Sequence, residues 1–205
     1  FSLKKFRERG WPAIVLLLVL ILVILLFALS IYWSYEPEEL DIAGLVPNSN
    51  SGAVTGYVTT KTLIEISNTL MDKPGGYLSN DIMLPGVLMD NIPNWEFGVL
   101  VQVRDFSKAL RNDISRQQTQ SQENADLAKA EPQFNVDNES WIFPSAENEY
   151  GKGTAALERY LSGLQDNADV RTQFFSRADN LRDWLKIVGV RLGSLSQRLS
   201  ASVGK

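Results

Sequence analysis

A basic decapeptide running into an unbroken apolar stretch constrains this chain more than anything else in it. Lys4, Lys5, Arg7 and Arg9 precede a run from Pro12 to Trp33 built of Ala, Ile, Val, Leu and Phe and closed by Ser30-Ile-Tyr-Trp33. At 1.5 Å per residue these roughly 22 residues make a helix of about 30 Å, the thickness of a bilayer's hydrocarbon core. The expectation is a transmembrane helix over residues 11–33, after a cytoplasmic basic tail at 1–10. Four cations and one anion, Glu8, stand before the span, whereas Glu36, Glu38, Glu39 and Asp41 follow it. The positive-inside rule then puts the N-terminus in the cytoplasm. Trp11 at one end and Tyr32, Trp33 and Tyr35 at the other fall where amphipathic rings favour the headgroup level. A cleaved secretory signal is the competing reading, with Ala28-Leu29-Ser30 as its small-x-small site, but its apolar region is ordinarily shorter than this one. The span carries no charge that would mark a transport pathway and no Gly-x-x-x-Gly face, so it reads as an anchor in membrane lipid.

Beyond residue 10 the chain holds 16 Lys+Arg and 23 Asp+Glu, a formal charge of −7. That balance argues against nucleic acid as a partner. With no cysteine there are no disulfides or thiolate metal sites, and with no histidine the usual general base and imidazole ligand are missing from this segment. No cofactor or metal is expected. The first residue is not Met and the chain stops after Val203-Gly-Lys205, so further residues are expected outside this range.

Residues 34–56 read as a polar tether, followed by a mainly α periplasmic domain over 57–205, a helical bundle with long loops. A first helix is expected over 60–72, with Leu63, Ile66 and Leu70 on one face and Thr59 or Thr60 as N-cap. Lys73-Pro-Gly-Gly ends it. Residues 77–93 contain two prolines and a Pro-Gly turn and are expected to be loop, with their Leu and Met side chains buried. Asn94 is expected to cap a helix to about Arg116 carrying Val99, Val103, Phe106, Leu110 and Ile114 on one stripe. A polar tract from Gln117, a single helical turn at 125–130 and two docking plugs, around Phe134 and Trp141-Ile-Phe, lead to a third helix over 146–164, weakened by Gly151 and Gly153.

The last helix, expected over 168–200, has apolar positions at Phe174, Ala178, Leu181, Leu185, Val188, Leu192, Leu195 and Leu199. This is a heptad rhythm. It serves either packing against the helices at 94–116 and 146–164 within one bundle, or self-association or pairing with another envelope protein. Gly189 and Gly193 lie off the seam.

Chemistry is sparser. Asp81, Asp90 and Glu96, with Tyr77 and Trp95, are the candidates for a glycan-binding or glycan-cleaving site, since paired carboxylates suffice for glycoside hydrolysis. The plainer reading of 72–81 is helix termination by Pro74, Gly75 and Gly76, with an Asx turn at Asn80-Asp81. Lys73 and Ser79 match a Ser-Lys dyad in spacing alone. Glu96 in the first turn of its helix suits the dipole, beside a buried Trp95. Arg177, Asp179, Arg182 and Asp183 read as solvated surface pairs.

Gly-Tyr-Val-Thr-Thr at 56–60, the segment 72–81, Pro-Asn-Trp-Glu-Phe-Gly at 93–98 and the motifs across 177–204, together with the N-terminal span, resemble a bacterial family of inner-membrane proteins, the domain of unknown function 2333. The resemblance covers almost the whole chain, least at 36–54. It implies a Gram-negative inner membrane and a periplasmic domain, and it brings no activity and no site residues. The combined expectation is a non-enzymatic scaffold or accessory subunit of a cell-envelope complex, acting through the seam leucines 181, 185, 192, 195 and 199 and the Tyr77 and Trp95 region. A peptidoglycan- or glycan-directed binding protein or hydrolase is the alternative.

Overall fold

A computed structural model describes residues 3–46, 54–117, 122–166 and 171–203. Among them are six α-helices and no strand: α1 Leu3–Trp33, α2 Tyr57–Asp72, α3 Asn91–Ala109, α4 Ala125–Phe134, α5 Ala146–Gln165 and α6 Ala178–Val203. Segment 47–53 of the tether, residues 118–121 of the polar tract and the first residues expected of the last helix (168–170) lie outside the described residues.

Helix α2 starts at Tyr57 rather than Thr60, because Gly56 takes the N-cap position with φ of 89°. A glycine is required there twice over. The left-handed backbone disfavours any side chain, and the Phe174 ring lies so close that an added Cβ would fall 2.2 Å from its Cγ. Helix α3 starts at Asn91 with Asp90 as N-cap, not at Asn94, whose side chain instead donates to the Asp90 carbonyl at 2.8 Å. Pro93 is thereby in the first turn, where a missing N–H costs nothing. The α3 stripe runs on through a π-helical turn, Leu110–Ile114, which keeps Leu110 and Ile114 buried.

The core is made by α2, α3, α4 and α5, with Leu63, Ile64, Leu100, Val103, Leu127, Phe134, Tyr150, Leu157 and Tyr160 in one cluster. Helix α4 is longer than a single turn, capped by Asn124, whose side chain accepts from Asp126 and Leu127 N–H. Arg104 holds its end, donating to Phe134 O and, just beyond the helix, to Val136 O at 2.7 Å. Glycine at 153 has a packing purpose that periodicity did not disclose. An added Cβ would lie 2.9 Å from Cζ of Phe134, which is itself sealed in the core, whereas the space at Gly151 is open. Gly151→Ala is therefore expected to raise stability by about 1 kcal/mol through helix propensity. Gly153→Ala is expected to lose about 1 kcal/mol net, overpacking of about 1–3 kcal/mol outweighing the same gain. Urea midpoints of the two variants, moving in opposite directions, are the check.

The chain's path gives the body two poles. Trp33, the last residue of α1, packs against Gly75 just beyond the C-terminus of α2. Ile42 is already beside Val58, Thr59 and Thr62 near the start of α2. Residues 34–42 thus run back along α2. At the far pole Phe174 covers Gly56 and Phe175 N–H donates to Ile114 O at 2.8 Å. Residues 172–177 are not helical, contrary to the expected start of the last helix near 168: Phe174 obeys the heptad spacing but plugs the far pole.

Helix α6 is not incorporated into the core. None of its 26 residues is buried. It lies on α3 through Trp184, whose ring meets Phe106 edge-on at 4.8 Å between centroids, and through an Arg191–Asp105 ion pair. Its partly covered residues are Asp179, Asn180, Trp184, Val188 and Arg191, and everything from Leu192 to Val203 is exposed.

Candidate functional site

Two features concentrate the residues singled out by sequence. The first is a polar knot where α2 ends. Lys73 occupies the C-cap of α2, where its cation also suits the helix's negative end. Its ammonium group pairs with the Glu96 carboxylate and donates to the Gly76 carbonyl. Both side chains are sealed, with 1% of Lys73 and none of Glu96 exposed. Glu96 accepts further bonds from Leu78 N–H at 2.8 Å, from Ser79 N–H at 2.7 Å and from the Ser79 hydroxyl. Gly75 and Gly76, with φ of 88° and 70°, fold the backbone around the pair. Glu96 lies in the second turn of α3, and its partners show a loop anchor rather than a dipole contact. Lys73 and Ser79 both bind Glu96, so no Ser-Lys dyad forms.

The other carboxylates do not join it as a catalytic pair. Asp90 is exposed at the N-cap of α3. Asp81 is half-buried over Gly86, and desolvation, then the Glu147 and Glu96 charges, hold its carboxyl above the usual range. A raised folded-state pKa means that the charged form is less stable in the fold than in the unfolded chain. The cost is present above that pKa and relieved as the pH falls through it. Asp81→Asn is therefore expected to raise the unfolding midpoint slightly at pH 7 and to lose that advantage in acid, which paired melts at the two pH values would show. Its solvent contact keeps the effect small. Glu96, with no exposed surface, has no access to a glycan.

Tyr77 is buried edge-on against Tyr150 at 5.6 Å, and burial pushes its phenol pKa upward. Trp95 is partly covered on the core's edge, not fully buried. Asn80 makes no Asx turn of the expected kind: its amide reaches across to Ser140 O at 2.9 Å and Glu147 Oε2 at 2.8 Å, tying the α2–α3 loop to the α4–α5 loop. Neither apolar loop docks as expected. Tyr77, Leu78 and Ile92 are buried, but Ile82, Met83, Leu84, Val87 and Leu88 are exposed, as are Trp141, Ile142 and Phe143.

The second feature is α6 with the groove beside it. About 750 Å³ of mainly apolar space lies between α2, α3 and the start of α6, walled by Ile42, Ile66, Phe106, Phe174, Leu181 and Trp184. The stripe facing α3 is Trp184–Val188–Arg191. It shares only Val188 with the heptad seam, so Leu181, Leu185, Leu192, Leu195 and Leu199 remain 46–67% exposed. Trp184 is off the seam, next to Leu185, and its pairing with Phe106 has no local signature in the sequence.

A family model described as an uncharacterised protein conserved in bacteria, DUF2333, matches residues 5–205. The chain belongs to this family. No curated protein and no solved structure matches it. For a DUF2333 chain the family supplies no activity, and the helical body, the apolar α1 and the exposed α6 are what function must be argued from. Residues 10–33 of α1 are long and apolar enough to cross a membrane.

Proposed function

We propose that this DUF2333 protein is a single-pass inner-membrane protein, N-terminus in the cytoplasm, whose helical domain works in the periplasm as a non-enzymatic scaffold or accessory subunit of a cell-envelope complex. One observation carries the reading: α6 presents a leucine seam with no residue buried. Five leucines at heptad spacing are the pattern that a second helix covers, by knobs-into-holes packing, and a contiguous apolar face on a soluble surface marks an interaction site. Gly189 and Gly193 each weaken the isolated helix by about 1 kcal/mol relative to Ala, so a covering partner also supplies order that the sequence of α6 does not. Positive flanks before α1 and acidic ones after it support the topology.

The test is in-cell photo-crosslinking from Arg182, on the exposed flank of α6, followed by mass analysis of the adducts. A discrete adduct, either with a second copy or with one envelope protein, is expected, and Leu185→Lys with Leu192→Lys should abolish it. A chain that stays monomeric after detergent extraction and yields no protein adduct in cells would sink the scaffold reading. The intact mass of the extracted protein decides between anchor and signal, because cleavage after Ser30 would remove the first 30 residues.

A further inference from the structure

We propose that the apolar tips of the α2–α3 and α4–α5 loops enter the leaflet at the C-terminal end of α1, so that the domain rests on the membrane that anchors it. This rests on the reading of α1 as a span. Trp33 closes α1 and packs on Gly75 at the end of α2, which puts that pole of the body at headgroup level. From Gly75 the chain passes the buried Tyr77 and Leu78 and then reaches Ile82, Met83 and Leu84 and a 3-10 turn at Gly86–Leu88. Met83 is 75% and Leu88 79% exposed. The α4–α5 loop is brought to the same pole by Asn80, which bonds Ser140 and Glu147 on either side of the Trp141-Ile-Phe tip, and Phe143 there is 98% exposed. Two loops from different parts of the sequence are thus tied to each other at the pole where Trp33 packs, and both carry exposed apolar tips.

The opposite pole is built otherwise. Ile114 and Gly56 mark it, and the α3–α4 connection there carries Arg116, Gln117, Gln122, Glu123 and Asn124. Among the described residues, exposed apolar side chains on the connections are therefore concentrated at the membrane end, the exceptions being Ile42 and Val46 on the α1–α2 connection. Charge narrows the occupant further. No Lys or Arg occurs in residues 74–103 or 130–151, so neither tip offers a cation for a phosphate headgroup, and the match is to the acyl region. Trp141 beside Ile142 and Phe143 is the combination favoured at that boundary. The Lys73–Glu96 knot fixes the base of the first loop, which holds its tip in place at small entropic cost.

Because the chain has no cysteine, single substitutions can be labelled in an otherwise silent background. The full chain carrying Leu88→Cys or Phe143→Cys is labelled with an environment-sensitive nitrobenzoxadiazole dye and reconstituted into phosphatidylcholine vesicles. Leu20→Cys in α1 and Gln122→Cys at the far pole serve as references. Blue-shifted emission that is quenched by acyl-chain nitroxide lipid is expected at 20, 88 and 143, with no such quenching at 122. Quenching at 20 but water-like emission at 88 and 143 overturns the proposal and leaves the span standing. Emission at 88 and 143 that is blue-shifted yet insensitive to the lipid quencher assigns the tips to a protein contact and also overturns it. A water-like label at 20 would remove the span itself and the loop insertion with it. Unchanged unfolding midpoints of the labelled variants, whose sites are all exposed, establish that the fold is intact in each case.

Discussion

Glu96→Ala is expected to cost about 3–5 kcal/mol of domain stability, the largest effect of any single substitution considered for this chain. The carboxylate is the common acceptor for the Lys73 ammonium, two backbone N–H groups and the Ser79 hydroxyl. Removing it strands a buried cation and orphans buried donors, each of which forfeits its hydration without a substitute partner. For a domain of this size the loss corresponds to a fall of roughly 10 °C in the melting temperature, read by circular dichroism of the detergent-solubilised protein. Removal of charge and removal of acceptor can be separated. Glu96→Gln keeps an oxygen for Leu78 N–H but leaves Lys73 unpaired, whereas Lys73→Met with Glu96→Gln removes both charges together. The double variant should be more stable than Glu96→Gln alone, because breaking a buried pair costs more than replacing it. If the single and double variants melted together, the lysine would be finding water, and the pair would not be sealed.

The same pair shows why local reading falls short. An unbroken apolar run identified α1, and periodicity identified the α3 stripe and the leucine rhythm of α6, each written in residues three or four apart on one helix. Glu96 follows Trp95 in a helix, and nothing in that local pattern separates a solvated carboxylate from one that closes a loop 18 residues upstream. Gly153 reads as a weak point in α5 until Phe134 of α4 is placed against it. Phe174 keeps the heptad rhythm yet caps the far pole, since its contact, Gly56, belongs to another element. Apolar content alone does not bury a loop: Tyr77 and Leu78, beside the Lys73–Glu96 knot, are buried, whereas Ile82, Met83, Leu84, Val87 and Leu88 are exposed.

Trp184→Ala is expected to have the second-largest effect, and a local one. Helix α6 is held to α3 by the Trp184–Phe106 contact and the Arg191–Asp105 pair, and its first turn is held to the π-helical turn by the Asn180 amide, which donates to Asp113 O at 2.7 Å. The ion pair is partly solvated and contributes at most about 1 kcal/mol. An aromatic pair contributes about 0.5–1.5 kcal/mol beyond the area it buries, so truncation of a half-covered tryptophan should cost about 2 kcal/mol, concentrated on α6. Hydrogen-exchange protection across 184–203 should then collapse while the α2–α5 core keeps its own, because the core cluster has no member from α6 and only Trp184 packs against its edge. The comparison that bears on function is between isolated protein and membranes. A helix released from α3 but still covered along Leu185, Leu192 and Leu199 by another helix would remain protected in native membranes and lose protection only on extraction. Loss of protection in both settings would mean that α6 has no support besides α3, which is the result that a scaffold built on α6 does not survive.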